Sequence, residues 1–296
     1  MPSLKELRAR IGSVKSTRKI TSAMKMVAAS KLRRAQARAE ASRPYAEAMQ
    51  RMLAALARSS AGGPNASRLL AGTGQDRVHL VIPVTSDRGL AGGFNANIGR
   101  TTRNLVRRLQ GEGKTVKILP VGRKGADYLE REFKGAVIDR IPGSAGKDVA
   151  FSAAEELGLR VTAMLERGEF DVATLVFNRF NNVMSQTPVE QQLVPLSLPA
   201  NDDLPDAATK GGAIYEFEPD EETILARLLP RNLSIQIYSA MLESAAGEQG
   251  ARMTAMDSAT RNAGKAIDRL TLNYNRTRQA NITRELIEII SGADAV

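Results

Sequence analysis

SAAGEQGARMTAMDSATRNAGKAIDRLTLNYNRTRQANITRELIEIISGADAV, residues 244–296, is the stretch from which the rest of the chain is read. Its apolar and small side chains continue a series that starts upstream and steps by three and four. The series runs Ile235, Tyr238, Leu242 and Ala245, then Met256, Ala259, Ala263, Ile267, Leu270 and Tyr274. Between Thr223 and Arg278 there is one proline, Pro230. The spacing is that of a heptad-like seam, so it predicts one long helix from about residue 220 in search of a partner helix. Alanines in the seam allow close approach, while Gln249 and Arg252 interrupt it as register-setting residues do. At 1.5 Å per residue such a helix runs on the order of 90–100 Å, more than a compact domain can bury.

The partner is at the other end of the chain. Residues 3–58 contain Gly12 and Pro44 as their only interior breakers. Leu4, Leu7, Ile11 and Val14 open a stripe that Ile20, Met24 and Val27 continue after a phase shift, kept narrow by Ala28, Ala35 and Ala39. Ser3, with Glu6 three positions on, resembles a capping box. Two long helices of this kind, one at each terminus, can bury their seams against each other. The expected fold is α/β: a long antiparallel coiled coil of the N- and C-terminal helices with an inserted Rossmann-like α/β domain. Its expected parts are a coiled-coil helix over 1–58, an α/β domain over 77–197 and a second coiled-coil helix over 220–296.

Counting residue for residue places Met1 level with about Arg278. Residues 279–296 then project beyond the N-terminus, and Ile282, Leu286, Ile289 and Ile290 lack an intramolecular partner. An unpaired apolar helix of this kind predicts insertion into a cavity of another molecule. The helix is expected to end at Gly292, which tolerates the left-handed conformation of a helix terminus.

Charge separates the two ends. Residues 1–58 hold fourteen Lys and Arg against three acids, a net +11, while the whole chain carries +10. All of the excess is on the first helix, which predicts attraction to an acidic partner. The chain has no cysteine, which removes disulfides, thiol nucleophiles and cysteine metal sites. No signal peptide is evident, since Met1 leads into a charged helix, and no apolar run is long enough to span a membrane.

In the middle of the chain the period changes. Residues 59–76 read as a Gly/Ser/Pro-rich loop, 77–84 as a buried strand, 95–110 as a helix, 115–121 as a strand and 123–133 as helical. Then come a short strand over 136–141, a helix over 148–168 capped near Ser144 or Asp148, a strand over 170–180 and an antiparallel edge strand over 187–196. Alternating strands and helices imply a mostly parallel sheet between helices. Residues 197–219 read as an acidic linker.

Catalytic chemistry finds little support. TSDRGLAGGFN, residues 85–95, is a glycine-rich loop between strand and helix, but it lacks both the GxGxxG spacing and a phosphate-loop lysine. Its glycines are expected to serve tight turns. His79 is the only histidine and lies mid-strand, as a core side chain would. The carboxylates Asp202, Asp203, Asp206, Asp220, Glu221 and Glu222 read as linker and helix-start charges. No active site, cofactor or metal is expected.

Three stretches carry a resemblance over essentially the whole chain. KSTRKITSAMKMVAASKLRRAQ (15–36), SDRGLAGGFN (86–95) and ITRELIEIISGADA (282–295) are similar to the N-terminal helix, central loop and C-terminal signature of the γ subunit of F-type ATP synthases, the central-stalk rotor. The resemblance implies a mechanical role without nucleotide binding. The projecting tip would sit in the bore of an α/β-subunit hexamer, and the α/β domain would stand on the membrane c-ring beside the ε subunit. ATP chemistry would belong to the β subunits. By the same resemblance, Met24 and Lys25 fall where the shaft passes an acidic lever loop of a β subunit. Arg278, Gln279, Thr283 and Glu285 fall on contacts to β-subunit catch loops, and Arg252 on a residue that influences coupling. Tyr215, Phe217 and Glu218 fall where the foot meets the ring. The implied location is peripheral, on the cytoplasmic face of a bacterial inner membrane. Ala91 departs from the cysteine common in relatives, and no cysteine pair occurs in 197–219.

Two other readings fit parts of the chain. A basic coiled-coil nucleic-acid binder explains the charge but not the apolar tip, and Tyr45 is the only aromatic residue on its helix. An α/β nucleotide-binding enzyme with helical arms would need the loop at 85–95 to hold phosphate.

Overall fold

The computed structural model describes residues 3–59, 67–143, 148–196 and 221–293. In chain order the elements are α1 (Leu4–Ser59), α2 (Arg68–Ala71), β1 (Val78–Pro83), α3 (Phe94–Gly111), β2 (Thr115–Ile118), α4 (Arg123–Leu129), α5 (Phe151–Glu166), β3 (Val172–Phe180), β4 (Gln186–Val194) and α6 (Glu221–Ala293). The two terminal helices are 56 and 73 residues long. Such lengths are stable through tertiary burial of one seam, since an isolated helix gains little from propensity alone. The chain divides into two compact units, residues 1–30 with 252–296, and residues 31–251.

The helix boundaries follow local chemistry. Ser3 Oγ accepts the amide of Glu6 at 3.2 Å, which satisfies one orphan donor of the first turn of α1. The reciprocal half of the capping box is missing, because the Glu6 carboxylate reaches Arg10 at 2.6 Å instead. Pro44 and Pro230 both lie inside helices that continue past them. The α6 helix also runs through Gly292 to Ala293, one residue beyond the expected stop. Within 59–76, expected to be all loop, residues 68–71 form a short helix capped by Ser67. No side chain caps α5, which starts at Phe151 after Ala150. Asp148 pairs instead with Arg38 of α1 at 2.7 Å, and Ser144 lies outside the described residues.

The larger unit is built on a four-stranded sheet of order β2-β1-β3-β4. The first three strands are parallel and β4 closes the edge antiparallel to β3. Residues 136–141 make isolated parallel bridges at Val137 and Ile141 rather than the expected strand. Side chains alternate between faces along each strand, so one sheet feeds two cores. Leu80, Ile82, Leu175 and Phe177 face α5 and the adjoining parts of α1 and α6, with Met49, Leu53, Leu157, Val161, Leu229 and Leu233. Val81, Val116, Ile118 and Val176 face α3, with Phe94, Ile98, Leu105 and Val106. Helices on both faces of a mostly parallel sheet make the Rossmann-like domain. On the first face α5 and α6 are further tied by Arg231, which bonds Glu155 at 3.0 Å and lies 4.5 Å over the ring of Phe151.

The smaller unit is an antiparallel helix pair. Arg8 donates to the Tyr274 hydroxyl at 2.8 Å, Thr260 to Thr21 at 2.8 Å, and Lys25 pairs with Asp257 at 2.6 Å. Positions facing each other thus add to 281 or 282, one register throughout. Leu7, Thr21 and Ala28 are buried on α1, as are Met256, Ala263 and Ile267 on α6. The expected phase shift in α1 does not occur. Ile20 and Val27 are 60% and 56% exposed, and the seam keeps its rhythm through Thr21 and Ala28. Sequence periodicity favoured the larger side chains, but an Ala- and Thr-lined seam brings the backbones closer together.

Candidate functional site

In an open α/β sheet, ligands bind outside the carboxyl ends of the strands where the strand order reverses. Here that point is between β1 and β3, since β1 leads through α3 to β2 on one side while β3 joins from the other. The glycine-rich loop 85–95 lies at this end and is bound up in its own turn. Asn95 Oδ1 accepts the Ser86 amide at 3.0 Å, and Ser86 Oγ donates to the Arg88 carbonyl at 2.6 Å. Asp87 Oδ1 accepts the amides of Arg123 and Gly143 at 3.0 and 3.1 Å. Thr85 Oγ1 accepts the Gly125 amide at 2.9 Å and donates to the Val121 carbonyl. Gly122 holds φ +93°, and a Cβ there would sit 2.2 Å from the Thr85 carbonyl oxygen, so no side chain fits this approach.

The crevice itself is filled by α6. Ser244 Oγ donates to the Val84 carbonyl at 3.2 Å. Gly247 lies against Phe94, Gln186 and Asn178, and Gly250 against Gln186 and Phe180, close enough that a Cβ would be 3.3–3.6 Å from their atoms. Between Thr85, Gly143, Ser244 and Glu248 remains a cavity of about 20 Å³. That is about the size of one water and far too small for a nucleotide. The position that a cofactor would take is occupied by the chain's own helix. Among the described residues, no group of three or more His, Asp or Glu is placed to hold a metal. His79 is buried in β1, as its sequence position suggests, with Nε2 2.6 Å from Asp76 Oδ1.

The remaining candidates concentrate on the antiparallel pair and its extension. Met24 is half-buried on α1. Lys25 is half-exposed and committed to Asp257, which Arg261 also approaches at 3.2 Å. The Lys25 hydrogen bond, helped by both positive charges, holds the Asp257 carboxyl below its ordinary range. Asp257 was not legible as a partner, since at i−4 from Arg261 it reads as an ordinary surface pair. Arg252 is half-buried on α6, where it is engaged in a polar contact.

By the observed register, Leu4, the first residue of α1, is level with about Arg278. The helix α6 continues from Gln279 to Ala293 with no length of α1 beside it. Arg278, Gln279, Thr283 and Glu285 are all exposed there, and Thr283 Oγ1 donates back to the Gln279 carbonyl at 3.0 Å. Ile282, Leu286, Ile289 and Ile290 are 47–67% exposed. At about 100° per residue these four fall within about 100° of arc, the stripe of an amphipathic helix. Ile287, overlooked because it is off the i, i+4 series, is exposed beside them and widens the apolar face. Arg284, Glu285 and Glu288 occupy the opposite side. Tyr215, Phe217 and Glu218 lie outside the described residues.

Comparison with known proteins agrees with this layout. A family model described as ATP synthase matches residues 3–296. The ATP synthase gamma chain of Gluconacetobacter diazotrophicus is 72% identical over the full length of both chains. That of Gluconobacter oxydans is 68% identical, again over both full lengths. Among solved structures, a chain of the central stalk and c-ring of Tetrahymena thermophila mitochondrial ATP synthase aligns with TM-score 0.61 and 28% identity. It covers 81% of this chain and 99% of its own. A chain of the Euglena gracilis mitochondrial ATP synthase shares the fold at TM-score 0.66 and 21% identity, over 99% and 94%. The chain belongs to the family of ATP synthase gamma chains.

Proposed function

We propose that this chain is the central rotor shaft of a proton-translocating F-type ATP synthase, coupling rotation of a membrane c-ring to ATP synthesis or hydrolysis at β-subunit sites. The observation that carries the reading is the helical extension Gln279–Ala293, which offers an apolar face without a partner in the described chain. A surface of that kind on a gamma-chain homologue fits the bore of a hexamer of α and β subunits. Rotation of an asymmetric shaft favours a different conformation of each β site at each angle, a population shift paid for by differential contact. In this reading Met24, Lys25, Arg252, Arg278, Gln279, Thr283 and Glu285 meet β-subunit loops. Tyr215, Phe217 and Glu218 meet the c-ring, and the ε subunit flanks the α/β domain.

The basic excess on α1 suits an acidic lever, and the helix offers only Tyr45 for the aromatic stacking that nucleic acid would use. No helix among the described residues is long and apolar enough to cross a membrane. Attachment through other subunits at the cytoplasmic face of a bacterial inner membrane is therefore part of the proposal. The test is ATP-driven proton pumping by reconstituted complexes carrying shortened chains. Loss of residues 279–296 should abolish pumping and weaken assembly, whereas loss of 291–296 alone should cost little. Full pumping by the longer truncation would overturn the reading.

A further inference from the structure

A polar pocket of about 160 Å³ lies between α1, the sheet and α6 of the larger unit and reaches its surface, since Arg179 in its wall is exposed. Phe177 and Arg179 of β3, Gln191 of β4, and Asn232, Gln236 and Glu243 of α6 contribute to its walls. Two acceptors there are buried without a hydrogen-bond partner in the protein: Oδ1 of Asn232, a residue only 2% exposed, and Oε2 of Glu243. Gln191 Nε2 donates to Gln236 Oε1 at 2.9 Å, so the neighbouring amides are already engaged with each other. Arg179 shares the wall with Glu243, yet the described residues hold no ion pair between them.

Buried acceptors of this kind are expensive unless something donates to them, and nearly all in folded proteins are satisfied. A metal cation would meet Arg179 in the same pocket. An apolar guest would leave both acceptors unpaired. Water supplies donors to the two oxygens and acceptors to the guanidinium, and about 160 Å³ has room for several waters. We propose that the pocket is a structural hydration site. Its waters donate to Asn232 Oδ1 and Glu243 Oε2 and link Glu243 to Arg179, making a water-mediated ion pair between α6 and β3. Such bridges hold nearly as well as direct hydrogen bonds. The arrangement fastens α6 to the sheet beside the direct hydrogen bond from Gln191 of β4 to Gln236 of α6.

Crystals of the full chain under xenon pressure test this without any substitution. Xenon enters dry apolar cavities and is excluded from well-hydrated polar ones. The expected result is ordered water density against both acceptors and no xenon peak in the pocket, and a xenon peak there would overturn the proposal. The bridge itself is tested by a double-mutant cycle of Arg179→Ala and Glu243→Gln, read as the urea midpoint of the full chain at low and high salt. Coupling that shrinks as salt rises is expected, and strictly additive effects would remove the ion pair from the proposal. Asn232→Leu adds a sign: it lowers the midpoint if water satisfies the amide, and raises it if the acceptor is truly unpaired.

Discussion

Single side chains decide which contacts belong to the chain and which to its partners. Lys25 is the sharpest case, because it is proposed to meet an acidic lever yet already pairs with Asp257. Lys25→Glu should reduce ATP-driven pumping more than assembly, by up to about fivefold, since an exposed charge pair is worth up to about 1 kcal/mol. Combining it with Asp257→Lys restores the pair inside the chain but not the charge shown to a partner. Pumping that stays low in the double variant would assign Lys25 to the lever, and full recovery would make it an internal strut. A second residue, Asp171, closes the start of β1: it accepts from Thr73 Oγ1 at 2.6 Å and from the amides of Val78 and Arg77 at 2.9 and 3.0 Å. The Thr73 hydrogen bond first, then the two amides, lower its pKa from 3.8. A depressed carboxyl stabilises the fold above its unfolded pKa, and that contribution fades as pH falls below about 3.8. Asp171→Ala should therefore cost about 2 kcal/mol in urea unfolding of the full chain at pH 7. The difference from the unsubstituted protein should narrow as the pH drops below that of an ordinary aspartate.

At the scale of elements, the two long helices and their antiparallel pairing were legible because period and length are written in the order of side chains. The seam from Ile235 to Tyr274 is buried or half-buried at every named position. Less legible was which side of α1 turns inward at Ile20 and Val27, because hydrophobicity there competes with close packing and small residues win. Short elements were also poorly marked: residues 136–141 have strand composition, but they pair at only two points. The tip follows from length alone, as one helix outlasts the other. With Ile282, Leu286, Ile287, Ile289 and Ile290 exposed, it lacks the tertiary burial that would protect its amides in the free chain. Hydrogen exchange should be fast over 282–290 in the isolated protein and slow in the assembled complex. Equal, strong protection in both would mean that the tip finds cover within this chain. Because one side of the tip is apolar and the other carries Arg284, Glu285 and Glu288, a surrounding sleeve would feel its angle.

For the whole molecule, function depends on torque passing between the α/β domain and the helix that grows from it. That junction was not legible in the sequence, where Gly247 and Gly250 look like weak points of a helix. In the structure they are where α6 enters the crevice at the ends of β1 and β3, against Phe94, Gln186 and Phe180. A Cβ at Gly247 would meet Phe94 at 3.4 Å, an ordinary contact. Gly247→Ala should therefore be neutral or gain up to about 1 kcal/mol from helix propensity. Leucine at the same position adds atoms where Phe94, Gln186 and Asn178 already stand, and overpacking of this sort costs about 1–3 kcal/mol. The helix is held in the crevice by those contacts and by Ser244, so Gly247→Leu should loosen it locally while leaving the tip residues unchanged. Complexes assembled with the leucine variant should still hydrolyse ATP, because the β sites and the tip are intact. They should pump fewer protons per ATP, because the shaft slips against the domain proposed to stand on the ring. Hydrolysis and proton uptake measured together in the same membrane vesicles give that ratio directly. An unchanged ratio in a leucine variant of lowered stability would mean that torque leaves the shaft by some route other than this crevice.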